Sequence, residues 1–445
     1  MGTTGMLLIL AGGIGLILLL TIKARLHAFV ALLSACFFIG FATGMPFDKI
    51  FKSIEAGMGS FLGLLAPILA LGAIVGKMME VSGGAERLAR TLIAKLGKRN
   101  THWAMMIVGY LCGIPVFFQV GIVLLMPILF SVAAEAGMSL VMVGIPMIIG
   151  LLTVHCIVPP HPAATAVAIG LKADIGKVIL YGLIVGLPAA ALAGPVFGKM
   201  IGNKFILRPP EHLKNKTATP EDQLPAFWTT LFTIMFPLIL MISKTIFEML
   251  LGKTHPAMPF INLMGEPVMA LFLAVFLAYW TLGLNRGNTM EQLQKISESS
   301  IGPMAAILLI IGASGAFNKV LMDSGIGAAI KTVLATWQIN PLILAWGVAA
   351  TMRFAVGGAT IAMVAAVGLV TPILPLYPGL DPALVAVAIG VGAIGLSHVN
   401  DPGFWFVKEY FGMSMGDMFK SYTLSTTIAS VAGLLVLLAF SFIIG

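Results

Sequence analysis

The chain has 445 residues, of which 59% are hydrophobic and only 10% are charged, and its formal net charge is +8. Soluble domains carry about 25% charged residues, so this composition excludes a soluble enzyme, a nucleic-acid-binding protein and a disordered chain. The apolar runs reach about 20 residues, the length of a helix that crosses a bilayer, whereas outer-membrane barrels show short alternating segments. The sequence therefore predicts an all-α polytopic membrane protein. At about 30 residues per span and connection, it should have roughly 12–14 membrane segments.

The first predicted elements are three apolar runs that we expect to cross the membrane: residues 5–22, 27–44 and 58–82. Lys23 and Arg25 follow the first run rather than precede it, so this run is expected to be a retained span and not a signal peptide. Residues 84–101 contain five basic residues and one acidic residue. We interpret them as a cytoplasmic loop, because such loops are rich in Lys and Arg. Counting spans from this loop places both chain termini on the periplasmic side.

Glycine and proline interrupt two of the apolar runs that follow. The first interruption is GIPVFFQVG at residues 113–121, and the second is HCIVPPHP at residues 155–162. Such breaks free backbone groups that lipid cannot satisfy, so they must line protein or water. Packing kinks are the alternative interpretation, because proline and glycine are common in membrane helices.

A polar, proline-containing segment at residues 203–226 is interpreted as a cytoplasmic linker. It separates residues 1–202 from residues 227–445, and the two parts share motifs at nearly one offset. The matches are Lys77-Met-Met-Glu-Val-Ser-Gly with Lys319-Val-Leu-Met-Asp-Ser-Gly, His155 with His398, and Gly176 with Gly416. These matches predict an internal duplication.

The charges predict that the two repeats have opposite orientations. The counterpart of the basic segment 84–101 is residues 325–340, which contain a single charged residue. A mirrored second half would place that counterpart outside, where few positive charges are expected. Inverted repeats of this kind are a hallmark of secondary transporters, which bind substrate where helices are interrupted at matching places in both halves.

The second half has two interruptions of its own, RFAVGGAT at residues 353–360 and SHVNDPGFW at residues 397–405. Asp401 followed by Pro402 is typical of an N-cap and the first position of a helix. A helix is therefore predicted to restart there, with the positive end of its dipole inside the protein. Such a helix end suits an anionic ligand.

Four ionisable side chains stand inside these apolar runs. Arg353 costs at least about 2.5–3.5 kcal/mol in mid-membrane and needs a partner. Its planar guanidinium matches a carboxylate, which is either that of a substrate or that of a structural partner such as Asp401. His155, His161 and His398 suit proton handling or hydrogen bonds to substrate, because histidine titrates near neutral pH. No metal-binding pattern accompanies them, and no cofactor is expected.

Five stretches together resemble the gluconate permease family of bacteria: residues 76–89, 154–162, 308–317, 353–360 and 397–405. The resemblance covers nearly the whole chain. It implies a proton symporter of the bacterial inner membrane that takes up gluconate and related sugar acids, while one branch of the family transports D-serine. It also implies the fold of the ion-transporter superfamily, with inverted repeats, re-entrant hairpins and a homodimeric assembly.

The resemblance leads us to expect substrate between the two pairs of breaks, with its carboxylate at Arg353. The other residues expected to bind substrate are His155, His161, Thr165, Gly357, Gly358, Thr360, His398 and Asn400. Asp401 is the expected proton-coupling carboxylate, with His398 beside it. Gln119 stands where the family usually has glutamate. Burial favours the neutral form of a carboxyl and makes it a natural proton carrier, whereas glutamine cannot titrate.

The sequence therefore predicts a proton symporter for gluconate or a similar small hydroxy acid. A D-serine symporter is the nearest alternative, because Ala163-Ala164 stand where gluconate members tend to have Gly-Pro. Gly358 also departs from the family pattern, which usually has serine there. An uncoupled facilitator is the alternative that Gln119 favours. An intramembrane enzyme is not indicated, because the sequence has no nucleophile–base or metal motif.

Overall fold

A computed structural model describes residues 2–207, 219–252, 254–302, 304–329, 339–399 and 401–444 of the chain. These residues lie in helices or in the connections between them, and none of them belongs to a strand. Within them, seven helices are long and apolar enough to cross a membrane, and six further apolar helices have 10–17 residues. The protein is therefore an all-α, multi-pass membrane protein. The expected 12–14 segments are reached only when the shorter helices are counted with the long ones.

The helices of the first half are α1 (Thr3–Leu18), α2 (Ala28–Ala42), α3 (Phe47–Val81), α4 (Gly84–Leu96), α5 (Thr101–Gly113), α6 (Phe118–Ala136), α7 (Leu140–Ile157), α8 (Pro162–Gly170), α9 (Ile175–Ala191) and α10 (Phe197–Gly202). Polar side chains cap three of these starts, and His27 does so before α2 by accepting from the Phe29 N–H. The Ser139 hydroxyl accepts a hydrogen bond from the Val141 N–H before α7, and the Asp174 carboxylate accepts one from the Lys177 N–H before α9. A π-helical turn joins α9 to α10, so the two form one continuous rod.

The helices of the second half are α11 (Phe227–Leu251), α12 (Met258–Gly265), α13 (Pro267–Ala278), α14 (Met290–Ile301), α15 (Met304–Asp323), α16 (Pro341–Val356), α17 (Ala359–Val370), α18 (Pro382–Ile394), α19 (Pro402–Phe411), α20 (Met415–Met418) and α21 (Leu424–Ile444). Proline occupies the first position of α16, α18 and α19, where its missing N–H has no intrahelical partner to lose. The side chain before each proline caps the helix: Asn340, Asp381 and Asp401.

The linker expected at residues 203–226 fits between the end of α10 at Gly202 and the start of α11 at Phe227. Its described part contains one 3₁₀ turn, Glu221–Gln223, while residues 208–218 lie outside the described residues. The division of the chain into two inverted repeats at this linker stays a prediction.

The segment after α3 is a helix, so the expectation of a loop over residues 84–101 is wrong for most of its length. Helix α4 buries Ala85, Leu88 and Ala89. These residues are spaced i, i+3 and i+4, and they form an apolar stripe that packs on α5 and α11. Arg87 points to the linker and donates from Nε to the Pro225 carbonyl at 2.7 Å. Basic composition carries information on membrane side, whereas the apolar spacing decides the conformation.

Helices α5 and α6 form a re-entrant hairpin. Thr101 at the start of α5 and Ala136 at the end of α6 line one large open cavity, together with residues of α4 and the linker. The chain therefore enters and leaves this hairpin at the same end of the molecule. Ile114 and Val116 at its tip are buried, as the exclusion of irregular backbone from lipid requires.

Helices α16 and α17 form a second hairpin. The Tyr377 hydroxyl, after α17, donates to the Ile339 carbonyl, just before α16, at 3.1 Å, so the two ends of this hairpin are adjacent. Its tip is the pair Gly357-Gly358, and Gly357 has φ +87°, a conformation that favours glycine. Both hairpins end at an interruption that the sequence predicts.

Each hairpin packs on the broken helix that follows it through a glycine. In the first half, a Cβ atom on Gly150 of α7 would lie 2.5 Å from the Met106 carbonyl oxygen of α5. In the second half, a Cβ atom on Gly392 of α18 would clash with the Trp346 carbonyl oxygen of α16. Glycine thus allows backbone-to-backbone contact, which brings the hairpin tips and the helix breaks together.

Candidate functional site

The helix breaks form the centre of the candidate site. They are residues 114–117 between α5 and α6, 158–161 between α7 and α8, 357–358 between α16 and α17, and 395–401 between α18 and α19. Each overlaps one of the four interruptions that the sequence predicts. Each is also followed by a helix N-terminus, whose unpaired N–H groups favour negative charge.

The second-half breaks hold a buried ion pair between Arg353 and Asp401. Arg353 lies in the last turn of α16 and Asp401 is the N-cap of α19, so each charge is at the helix end whose dipole favours it. Arg353 Nη2 lies 2.5 Å from Asp401 Oδ2, and the two side chains are 1% and 7% exposed. Of the two partners that the sequence leaves open for Arg353, the structure contains the structural one.

Hydrogen bonds around this pair are unevenly distributed. Asp401 Oδ2 also accepts from the Ser397 hydroxyl, and Oδ1 accepts from the Gly403 N–H at 2.9 Å. Arg353 Nη1 donates to the Gly357 carbonyl. Arg353 Nε is buried and has no hydrogen-bond partner among the described residues. The carboxylate is thus well satisfied, while the guanidinium keeps one donor for a ligand.

The first-half breaks hold a pair of histidines. His161 is the N-cap residue of α8, and its Nε2–H donates to the Gly113 carbonyl at the end of α5. The rings of His155 and His161 are 4.9 Å apart, edge to face, and Phe118 of α6 lies 5.9 Å from His155. His155 Nδ1 is buried without a hydrogen-bond partner in the described part of the chain. This half offers neutral hydrogen-bonding groups where the other half offers charge.

Contacts between the halves join these groups into one site. Phe118 packs against Gly403 in the first turn of α19, where an added Cβ would lie 2.8 Å from the phenyl ring. His155 lies within electrostatic range of both His161 and Arg353. The histidines of the first half and the ion pair of the second half are therefore neighbours.

Two buried hydroxyl groups lie near the breaks: Thr165 Oγ1 in α8, which has no hydrogen-bond partner among the residues that the structure describes, and the Tyr422 hydroxyl, which lies next to Ser397. Tyr422 lies in the π-helical turn before α21, within electrostatic range of Arg353 and Asp401. Thr165 belongs to the predicted site, whereas Tyr422 and the Asp401-bound Ser397 are absent from that prediction. Only tertiary packing brings Tyr422 to the site, and no local sequence signal indicates it.

A narrow cleft lies beside the first-half breaks. Pro115, Phe117 and His161 line it from the breaks, and apolar residues of α3, α11 and α13 line it from the opposite side. Of the two histidines, His161 is the one that faces this cleft.

The tip of the second hairpin contains three of the predicted substrate residues. Gly357 and Gly358 form the break, and Thr360 is half-buried in the first turn of α17. Gly358 is the N-cap residue of α17, and the nearest atom to an added Cβ there is on Ile361 at 3.5 Å. That distance is an ordinary contact, so the position has room for a side chain.

The remaining predicted residues lie at the edge of the site or outside the described part. His398 is half-buried, and its Nε2–H donates to the Phe354 carbonyl at 2.8 Å. The match of His155 with His398 is not reflected in the helices, because His155 lies inside α7 whereas His398 lies in the break after α18. Asn400 and the side chain of Gln119 lie outside the described residues, although the backbone of Gln119 belongs to the first turn of α6.

Comparison with known proteins identifies similar chains over the full length of this one. A family model described as GntP family permease matches residues 5–443. A gluconate permease of Pseudomonas aeruginosa is 45% identical over 434 residues, which cover 97% of this chain and 96% of that protein. A D-serine transporter of Escherichia coli is 44% identical over 436 residues, which cover 96% of each chain.

Among solved structures, the YdaH transporter of Alcanivorax borkumensis has a TM-score of 0.62 at 14% sequence identity, with 89% of each chain covered. At that identity the likeness establishes a shared fold.

Proposed function

Because the chain belongs to the GntP permease family, we propose that it is a secondary active transporter that imports gluconate or a similar small hydroxy acid by proton symport. Its relatives named above are a permease and a transporter rather than enzymes. The observation that carries the proposal is the buried Arg353, whose Nε has no partner among the described residues. A guanidinium with an unused donor suits a carboxylate, the one charged group of gluconate.

In this proposal the hydroxyl groups of the substrate extend from Arg353 towards the histidines. His155 Nδ1 and Thr165 Oγ1 are buried without partners in the described structure, and a polyhydroxy ligand would supply the hydrogen bonds that burial takes from them. The other proposed contacts are His161, His398, Thr360, Asn400 and the backbone of Gly357 and Gly358.

The proposed proton-coupling group is Asp401, with His398 beside it. A carboxylate buried within a membrane domain is a common mark of a proton path. Gln119 replaces the acid of the family, so the proton must bind elsewhere. A Gln119→Glu variant tests this position. A changed pH dependence of transport supports a place for residue 119 at the coupling site, and an unchanged one removes it from the proposal.

D-serine is the second candidate substrate, because the D-serine transporter of Escherichia coli is nearly as similar to this chain as the gluconate permease of Pseudomonas aeruginosa is. A zwitterion needs a negative group for its ammonium as well as a positive group for its carboxylate. Asp401 beside Arg353 supplies that negative group.

The experiment is uptake of labelled gluconate into proteoliposomes, with and without an inward proton gradient. Accumulation that requires the gradient supports proton symport. Saturable entry without accumulation would replace symport by facilitated diffusion, the alternative that Gln119 favours. Entry of D-serine without entry of gluconate would replace the substrate. Arg353→Ala is expected to abolish gluconate binding, and unchanged affinity would remove Arg353 from the carboxylate site.

We also propose that the protein lies in the bacterial inner membrane as a homodimer of two inverted repeats, residues 1–202 and 227–445, with a cytoplasmic linker at 203–226. The matched contacts of Gly150 and Gly392 support the repeat. Single cysteines placed in α4 and near either terminus test the orientation by labelling from one side. Labelling of α4 from outside the cell would show that the protein has the opposite orientation in the membrane. Chemical cross-linking in membranes tests the dimer, and a product of monomer mass alone would exclude it.

A further inference from the structure

We propose that the substrate carboxylate and Asp401 compete for one edge of the Arg353 guanidinium, and that Asp401 takes up the coupling proton when it loses that edge. This inference rests on the proposed function, because it requires a substrate with a carboxylate. It adds the event that makes Asp401 bind the proton and the reason why proton and substrate bind together.

The geometry of Arg353 carries the first step. A guanidinium offers parallel N–H groups along the Nη1–Nη2 edge and along the Nε–Nη2 edge. Arg353 Nη1 donates to the Gly357 carbonyl, which occupies the first edge. Nη2 donates to Asp401 Oδ2, while Nε has no partner among the described residues. A carboxylate that binds the second edge with both oxygens therefore contacts the same nitrogen that holds Asp401, and the two carboxylates compete for Nη2.

Burial carries the second step. Arg353 and Asp401 are 1% and 7% exposed, so two charged carboxylates beside one guanidinium would leave a net negative charge away from water. Such an unpaired buried charge is strongly unfavourable. A proton from the aqueous side removes it by binding the Asp401 oxygen that Arg353 Nη2 releases. The substrate carboxylate then replaces Asp401 as the partner of Arg353, and the total charge of the site is unchanged.

The hydrogen-bond partners of Asp401 suit both of its states. The Gly403 N–H donates to Oδ1, and the Ser397 hydroxyl donates to Oδ2. A hydroxyl can turn from donor to acceptor, so Ser397 can accept from the protonated carboxyl. Asp401 thereby keeps local hydrogen bonds after Arg353 has turned to the substrate.

Two neutral titratable groups also face the ion pair. Cys156 of α7 and Tyr422 of the turn before α21 both lie within electrostatic range of Arg353 and Asp401. A thiol and a phenol are neutral at physiological pH and can only lose a proton. They therefore cannot serve as acceptors of the coupling proton.

Three histidines complete the titratable surroundings. A proton on His155 would place a second positive charge within range of Arg353, which opposes its uptake. His161 lies beyond His155 and donates to a backbone carbonyl. His398 donates to the Phe354 carbonyl at the edge of the site. Of the titratable groups around the ion pair, Asp401 is therefore the one that takes up a proton when the substrate carboxylate binds Arg353.

The exchange has a consequence for charge movement. Gluconate carries one negative charge, so its transport with one proton moves no net charge across the membrane. A membrane potential, negative inside, is therefore expected to leave gluconate uptake unaffected.

The test compares Asp401→Asn with the matched control Asp381→Asn. Both aspartates cap a helix that begins with proline, and asparagine caps helices about as well as aspartate does. Asp381 instead pairs with Lys177 at 3.0 Å. Gluconate binding to the purified protein is measured from acid to alkaline pH. Wild type and Asp381→Asn are expected to lose about tenfold in affinity per pH unit once Asp401 is ionised, whereas Asp401→Asn is expected to bind gluconate independently of pH.

Transport by Asp401→Asn gives a second readout. This variant is expected to exchange gluconate across the proteoliposome membrane and to fail to accumulate it under a proton gradient. Accumulation by Asp401→Asn, or a pH-dependent affinity equal to that of wild type, would overturn the inference and leave the proposed function intact. Absence of gluconate transport by the wild type would overturn the proposed function itself.

Proton uptake by the wild-type protein keeps the inference testable if Asp401→Asn does not fold. Gluconate is added to purified protein in weakly buffered solution at neutral pH, and the bound protons are counted. Uptake of about one proton per bound gluconate is the expected result. Binding without proton uptake would contradict the inference.

Discussion

The two pairs of breaks share a backbone arrangement and differ in charge. In each half, a residue near the end of the first hairpin helix contacts the N-cap residue of the helix that resumes after the following break. In the first half, the Gly113 carbonyl accepts a hydrogen bond from His161, whereas in the second half Arg353 forms an ion pair with Asp401. The same backbone arrangement can therefore hold either a neutral hydrogen bond or an ion pair inside a membrane protein. Among the described residues of the breaks, the ion pair lies in the second half, which suits a substrate with a single carboxylate and several hydroxyl groups.

Removal of Arg353 is expected to give the largest loss of stability of the variants considered for the two halves. Arg353→Ala leaves Asp401 buried without its counter-charge, which is expected to cost about 3–5 kcal/mol of folding free energy. The double variant Arg353→Ala/Asp401→Ala is expected to recover most of this loss, because no buried charge remains unpaired. Thermal unfolding in detergent measures both variants. A single variant as stable as the wild type would contradict the ion pair.

The neutral link of the first half is expected to contribute less. His161→Ala leaves the buried Gly113 carbonyl without its donor, and the expected cost is about 1–3 kcal/mol. His161→Gln serves as the control, since its amide can donate to the same carbonyl and should recover part of the loss. The same unfolding measurement applies. A loss in His161→Ala as large as that in Arg353→Ala would remove the contrast between the halves.

Strain at the second hairpin tip is expected to have an intermediate effect. Gly357 has φ +87°, so Gly357→Ala should cost about 1–2 kcal/mol. Gly347→Ala in the same helix is the matched control, because an added Cβ there meets no atom within 4 Å, and alanine favours a helix. The difference between the two midpoints of thermal unfolding tests the turn. Equal midpoints would contradict the positive φ at Gly357.

The adjacent glycine should give the smallest effect, with the opposite sign. Gly358 is the N-cap residue of α17 with φ −77° and ψ 125°, a conformation open to serine, the residue usual in the family. Gly358→Ser is expected to raise the free energy of unfolding by a few tenths of a kcal/mol, because its hydroxyl can cap α17. Gly358→Ala lacks that hydroxyl and is the control. Destabilisation by serine would show that the tip is tighter than described.

The breaks are the part of the site that the sequence predicts best. Glycine and proline disrupt an apolar helix wherever they cluster, and the Asp401-Pro402 dipeptide predicts an N-cap that the structure confirms. These signals are local, so they can be read from one chain. In α4 two local signals disagree. The basic residues indicate a loop, whereas the spacing of the buried Ala85, Leu88 and Ala89 indicates the helix that the structure contains.

The contacts within the site are not local and could not be read in the same way. The sequence leaves Arg353 with two candidate partners, and only the packing of α16 against α18, which ends just before the break that contains Asp401, selects Asp401. Tyr422 reaches the site from the turn before α21, and the match of His155 with His398 fails because one lies inside a helix and the other in a break. Tertiary packing decides each of these points, and spacing along the chain carries no information on it.

In the proposed site, Arg353 of the second half, and not the histidine pair of the first, anchors the substrate carboxylate. Equilibrium binding of gluconate to the folded double variant Arg353→Ala/Asp401→Ala, with His161→Ala measured in parallel, tests this assignment. The double variant is expected to lose gluconate binding, while His161→Ala is expected to stay within about tenfold of the wild type, the equivalent of one hydrogen bond. Wild-type affinity in the double variant, or complete loss in His161→Ala alone, would contradict the claim.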